Sequence, residues 1–166
     1  MIKVSLLLTF ACISQWVYAT NGLPETQGAV ILTVSGNITH TNSGATAEFD
    51  LSMLQAMPQT TIVTKTPWTE GLNHFTGPKI EDLIQLLAGK GEFIEATALN
   101  GYKITIPMQD VNKYSIILAL QHNGEVLSVR RRGPSWVIYP WSDMNLTRNH
   151  KFYTRSIWQV KSINIF

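Results

Sequence analysis

Arg130-Arg131-Arg132-Gly133-Pro134-Ser135-Trp136-Val137-Ile138-Tyr139-Pro140-Trp141 is the stretch on which the reading of this chain turns. Three guanidinium groups run into a Gly-Pro turn. The segment that follows, Ser135 to Tyr139, reads as a buried strand. Pro140 stops it and Trp141 opens a second aromatic loop. Trp136 belongs to the core, because strands bury aromatic rings. Two further segments carry the same mixture. Thr64-Lys65-Thr66-Pro67-Trp68-Thr69-Glu70-Gly71 is a strand running into a Pro/Gly loop that displays an indole, and Tyr153-Thr154-Arg155-Ser156-Ile157-Trp158-Gln159 joins a cation and hydroxyls to another. Planar aromatic or guanidinium groups, with amides at the edge, are what a flat polar heterocycle stacks on and bonds to. Loops on a rigid sheet are where such groups collect.

Outward from these segments the pattern is β-rich. Ala29–Val34, Thr60–Lys65, Ala96–Ala98, Tyr102–Ile106, Ser115–Leu120, Glu125–Val129 and Ser156–Ile165 read as strands, with turns at Asn100-Gly101 and Asn123-Gly124. Asp50 reads as the N-cap of a helix over 51–57, stopped by Pro58. Gly77-Pro78-Lys79 opens a second helix, whose Ile80, Leu83, Ile84 and Leu87 share a face and whose Glu81 and Asp82 favour the N-terminal dipole. The sum is a single β-rich α+β domain. With 45% hydrophobic and 14% charged residues the chain has the composition of a compact globule. Its net charge of +2 gives no footprint of a nucleic-acid binder.

The first residues have the form of a secretory signal: Lys3, an apolar run from Val4 to Ile13, then Val17-Tyr18-Ala19, with small residues where a peptidase reads. Residues 1–19 are therefore read as a cleaved signal peptide, 20–28 as a flexible leader and 29–166 as the domain. Cys12 falls in the signal, which leaves the exported chain without a thiolate for nucleophilic or metal chemistry. The four histidines, His40, His74, His122 and His150, show no metal-ligand spacing. His122 is expected in solvent beside its turn. No G-x-S-x-G, Walker or dinucleotide glycine motif is present.

In order along the chain, these features resemble the sulfite-oxidase-type molybdopterin-binding domain over roughly Ala29 to Phe166. The match runs through the Asp50 helix, the Trp68 loop and Phe75-Thr76-Gly77-Pro78. It continues with Ala98-Leu99-Asn100-Gly101-Tyr102, Ile106-Pro107, Asp110, Ala119 and Asn123-Gly124-Glu125. It closes with Gly133-Pro134, Tyr139-Pro140-Trp141 and Arg155-Ser156-Ile157-Trp158. The likeness is nearest to the short exported pterin-binding members. In the metal-dependent members a cysteine before the tryptophan loop binds molybdenum. The matching stretch here is Thr64-Lys65-Thr66, with Thr64 the counterpart, and a hydroxyl is a poor substitute for a soft thiolate. The family's terminal Lys-Ser pair, which holds the anionic end of the cofactor, corresponds to Arg155-Ser156. Where short relatives show acidic residues after Asn100 and Arg130, this chain has Gly101 and Arg131, which points to a ligand more acidic than a plain pterin.

The resemblance thus implies a non-enzymatic periplasmic protein that binds a pterin and no molybdenum. It would act as a ligand-sensing partner of a membrane enzyme of cyclic di-GMP signalling, docking on that enzyme's periplasmic domain. Such a device works only if the ligand changes the free energy of docking. Trp68, Trp141 and Trp158 are the candidate stacking groups, at least one of them expected to be core only. Arg130, Arg132 and Arg155 with Ser156 are candidates for polar or anionic ends, and Asn100 and Tyr102 for the heterocycle edge. The alternatives are a molybdenum-cofactor-dependent oxidoreductase with a non-cysteine metal site, and a ligand-free protein-interaction domain.

Overall fold

The computed structural model describes residues 22–142 and 150–166. The expected signal at 1–19 lies outside the described residues. A five-stranded sheet has the order β2-β1-β11-β5-β6, built from β1 (Val30–Gly36), β2 (Ala47–Asp50), β5 (Phe93–Ala98), β6 (Lys103–Pro107) and β11 (Val160–Ile165). Only β1 and β11 run parallel in it, with Thr33 opposite Ser162. The second sheet is antiparallel, in the order β3-β4-β8-β9, from β3 (Gln59–Thr66), β4 (Thr69–Pro78), β8 (Gln121–His122) and β9 (Glu125–Val126). Between them runs a ribbon of β7 (Ile117–Ala119) and β10 (Trp136–Ile138), which pair antiparallel. Among the described residues there are four short α-helices: α1 (Leu51–Ala56), α2 (Ile80–Leu86), α3 (Met108–Tyr114) and α4 (His150–Arg155).

The ribbon explains the unbroken apolar runs in its sequence. Side chains alternate across a strand, and here both faces are buried. Leu118, Leu120, Val137 and Tyr139 enter the main core, with Leu32, Phe49, Ile94 and Ile163 of the large sheet. Ile117, Ala119, Trp136 and Ile138 enter a second core with Phe75 and Leu127. β4 crosses close over the ribbon at Gly77, where a Cβ would stand 2.0 Å from the Leu118 carbonyl oxygen. Only glycine fits such an approach. The Asn123-Gly124 turn joins β8 to β9 with φ of 51° and 81°, the two left-handed residues of a tight hairpin.

Several elements depart from the expectation. β2 runs through the residues that lead to the Asp50 cap, and the strand expected over Glu125–Val129 stops at Val126, with Val129 in a 3₁₀ turn. β4 is a ten-residue strand through what reads as a loop and a helix start. α3 and α4 lack apolar spacing: Val111 and Phe152 are the only buried apolar side chains they contribute. Both are held by tertiary contacts, since helices this short have little stability of their own.

Asp50 caps α1 as expected, and does more. Its Oδ1 accepts from the Met53 N–H at 2.9 Å and the Ser52 hydroxyl at 2.6 Å, while Oδ2 accepts from the N–H groups of Gln27 and Gly28 at 2.8 Å each. The described part of the leader is therefore tied down, not loose, and Asn42 Nδ2 adds a bond to the Pro24 carbonyl at 2.8 Å. These donors, the Ser52 hydroxyl foremost, hold the Asp50 carboxyl well below the usual carboxylate range. A depressed folded pKa contributes stability that is fully present above the unfolded value, about 3.9, and is lost as pH falls through the folded one. Asp50→Ala is expected to lower Tm at pH 7 and to flatten the dependence of stability on pH below about 4, measured by thermal melts across an acid series. Unchanged Tm and an unchanged acid slope would refute this role.

Candidate functional site

Trp68 is placed by a two-residue turn. Thr66 and Thr69 pair across it, Pro67 fixes φ at the first corner, and Trp68 takes the second. The Thr66 and Thr69 hydroxyls bond at 2.8 Å, and the Trp68 N–H donates to Thr66 Oγ1 at 3.2 Å. Asn73 Nδ2 closes the loop behind it on the carbonyls of Glu70 at 2.8 Å and Gly71 at 3.2 Å. The indole thus projected becomes the hub of an aromatic cluster. Its ring centre lies 5.8 Å from Trp136, 5.7 Å from Trp141 and 5.5 Å from Trp158, all edge-to-face, and 4.7 Å from Tyr153 at a tilt.

Beside this hub opens a cleft of about 240 Å³, lined by Trp68, Ala98, Asn100, Tyr102, Tyr153, Thr154, Ser156, Ile157 and Trp158. Three pieces of chain build it: the β3–β4 turn, the β5–β6 turn, and the stretch from α4 to the start of β11. The β5–β6 turn is fixed by Asn100 Oδ1, which accepts from the Tyr102 N–H at 3.0 Å, and by Gly101, whose φ is 84°. Among the described residues the Asn100 amide N–H pair finds no acceptor. The Trp158 wall is held by a backbone bridge to Trp136 and by the bond from Val137 N to Ile157 O at 2.9 Å. The Ser156 hydroxyl donates to the Phe152 carbonyl at 3.1 Å and so closes α4. Trp68 Nε1 is buried and finds no acceptor among the described residues, an unmet donor in the cleft wall.

Of the residues singled out from the sequence, Trp68, Asn100, Tyr102, Ser156 and Trp158 meet in this cleft. Four do not. Trp141 is core: it is 2% exposed and packs edge-on against Trp68. Arg130 is exposed in a 3₁₀ turn at Val129–Arg131, away from the cleft. Arg132 lies behind the wall. Its guanidinium sits 5.2 Å from the Trp136 ring and 5.9 Å from that of Trp158, and Nη2 donates to the Trp68 carbonyl at 3.2 Å. It positions the indoles without lining the space between them. Arg155 turns inward: Nη1 lies 2.6 Å from Asp110 Oδ2, the oxygen that also accepts from the Tyr139 hydroxyl at 3.0 Å. Burial, and then the Asp110 charge, push the Tyr139 hydroxyl above the ordinary tyrosine range, so it stays a donor. The anion-binding role expected of Arg155 is thus replaced by an internal ion pair.

Sequence reasoning missed Tyr153 and Thr154 as walls, because α4, which presents them, has no periodic signal. His122, expected in solvent, stacks flat on Phe75 at 4.8 Å and bonds Asn73 Oδ1 through Nε2 at 2.8 Å. Burial first, then the charges of Arg132 and Arg131, lower its pKa and favour the neutral ring. Thr64 is wholly buried. Its Oγ1 accepts from the Ser142 N–H at 2.9 Å and faces the Ser142 hydroxyl at 3.2 Å and the Lys65 carbonyl at 3.1 Å. Among the described residues no three His, Cys, Asp or Glu side chains gather as a metal site would require.

No family model and no curated protein matches the sequence. Among solved structures the chain is similar to the sulfane dehydrogenase SoxCD from Paracoccus pantotrophus. The TM-score is 0.60 and the identity 16%, over 81% of this chain and 37% of the length of that one. At that identity the likeness shows the fold alone: this chain is a β-rich α+β domain, as its sequence pattern anticipates, with a fold shared by part of that enzyme.

Proposed function

We propose that the cleft beside Trp68 binds a flat heterocycle of the pterin type, and that the protein acts as a non-enzymatic ligand-binding module. The observation that supports this most is the meeting of Trp68, Tyr102, Tyr153 and Trp158 around one small cleft, with the Asn100 amide at its edge. Aromatic walls supply stacking, and an amide supplies directional bonds to ring carbonyls and nitrogens. The volume falls below the roughly 300–1,000 Å³ of pockets for drug-sized ligands. It suits one bicyclic ring better than a ring carrying a metal and an anionic tail.

The residues present do not fit the complete molybdenum cofactor. The Thr64 hydroxyl, at the position of the metal-binding thiolate, is engaged by Ser142, and Arg155 is engaged by Asp110. The organic ring is what the remaining groups can hold. Read together with the secretory signal expected at 1–19, the protein would act in the periplasm. There the ligand-loaded form would dock on the periplasmic domain of a membrane cyclic di-GMP enzyme and bias its output.

The test is binding of 6-hydroxymethylpterin, followed by calorimetry and by the shift in Tm. Saturable binding is expected. Trp68→Ala should weaken it by about 1–3 kcal/mol, the usual worth of one stacking platform, or about 5- to 150-fold in Kd. Tyr102→Ala, on an exposed turn, gives a second variant that leaves the cores untouched. No binding by the wild-type protein, or stoichiometric molybdenum in protein matured in a host that makes the cofactor, would overturn the proposal.

A further inference from the structure

We infer that a groove beside the β5–β6 turn is a docking surface for another protein, one that presents apolar side chains together with a carboxylate. This goes beyond the cleft and holds whichever ligand the cleft takes. Asn100 and Tyr102 of the turn line the cleft. Leu99 lines an open groove of about 540 Å³ instead, with Val30, Ile31, Val129, Pro134 and Lys161, and the groove shares no lining residue with the cleft. Val30, Leu99 and Val129 are 44%, 43% and 54% exposed. Scattered singly, such side chains would need no explanation; gathered in one groove they mark a contact site.

The rims of the groove are fixed by one stretch of chain. Gln159, with a left-handed φ of 55°, accepts the Leu99 N–H on its carbonyl at 2.8 Å and donates from Nε2 to the Val129 carbonyl at 2.9 Å. Val160 donates to the Ser135 carbonyl at 3.1 Å and accepts from the Ser135 hydroxyl at 3.0 Å, beside Pro134. A surface ordered in advance spares a partner the cost of ordering it. Charge decides the kind of partner. Lys161 is exposed in the lining, and Arg130 follows Val129 in the exposed 3₁₀ turn. A carboxylate on the partner is drawn to these cations and a basic group is repelled. The described leader is not the occupant, since Gln27 and Gly28 bond Asp50 and the Pro24 carbonyl bonds Asn42.

The probe is a library of dodecapeptides displayed on phage and selected on the purified wild-type protein. Enriched sequences are then synthesised and titrated calorimetrically. They are expected to share apolar side chains and an aspartate or glutamate. Leu99→Ser and Val129→Ser, at exposed positions outside both cores, should each weaken them by about fivefold or more, the mark of a side chain that carries binding energy. Lys161→Glu should weaken them by about fivefold, and exchanging the carboxylate of the peptide for lysine should restore binding to that variant. Leu72→Ser, exposed on β4 and outside the groove, should change nothing. Peptides indifferent to Leu99→Ser and Val129→Ser, peptides enriched without acidic residues, or no enrichment at all would overturn the inference. So would a wild-type dimer in sedimentation that Leu99→Ser dissociates, since a second copy would then fill the groove. None of these outcomes touches the binding of 6-hydroxymethylpterin, which is measured separately.

Discussion

Arg155→Ala is expected to lower the free energy of unfolding by about 3–5 kcal/mol, the usual cost of removing one partner from a buried ion pair. Arg155 and Asp110 are 15% and 6% exposed at their side chains, so solvent screens their 2.6 Å contact only weakly. Without the guanidinium, the carboxylate keeps, among the described residues, a single neutral donor, the Tyr139 hydroxyl, inside the core. The damage should reach beyond the pair. Arg155 ends α4, whose six residues supply Phe152 to the core and Tyr153 and Thr154 to the cleft. A helix that short stays in place through its contacts. Urea denaturation measures the loss. The double variant Arg155→Ala/Asp110→Asn should recover part of it, because the stranded charge is then gone. A cost below about 1 kcal/mol, the level of an exposed pair, would mean that the contact does not hold the helix.

Trp136→Ala is expected to cost a similar amount, about 3–5 kcal/mol, as large-to-small changes of buried aromatic residues do. The ring is wholly buried, and its centre lies 5.8 Å from Trp68, 5.4 Å from Phe75 and 6.2 Å from Trp158. Its Nε1 donates to the Ser156 carbonyl at 3.1 Å, which alanine would leave unpaired in the interior. Arg132 would lose the nearer of the two ring faces it covers. Loss of stability in urea should therefore come with loss of affinity for 6-hydroxymethylpterin. Trp136→Phe, which keeps a ring but no donor, should retain more of both. An alanine variant within about 1 kcal/mol of the parent, near the centre of the ordinary point-mutation range, would contradict the packing described.

How much of this was legible in the chain depends on where the physical signal resides. The ribbon strand at Trp136–Ile138, the Asp50 cap, the face of α2 and the Asn123-Gly124 turn announce themselves locally, through burial pattern, capping chemistry and turn residues. Trp68, Asn100, Tyr102, Ser156 and Trp158 were recognisable as site candidates because loop aromatics and amides are a local feature too. The partners of the arginines were not. Whether Arg155 meets a ligand or Asp110 is decided by residues 45 positions apart, and nothing near Arg155 in sequence tells the two outcomes apart. Trp141 was misplaced for the same reason: a loop-edge indole and a core indole look alike until the Trp68 turn folds over it. β4 stayed hidden because Gly77 marks a close crossing over the ribbon and not a break in the strand.

The two-faced ribbon also limits how this protein can vary over generations. Each of its three-residue strands delivers consecutive side chains to different interiors, so a single inserted or deleted codon between Ser135 and Pro140 would shift every later side chain to the opposite face. An indole sized for the cleft-side interior would be thrust among the aliphatic side chains of the other, and a valine would be left to stand beneath Trp68. Lineages descending from this sequence can lengthen their outer loops, but the middle of the molecule admits change only by substitution.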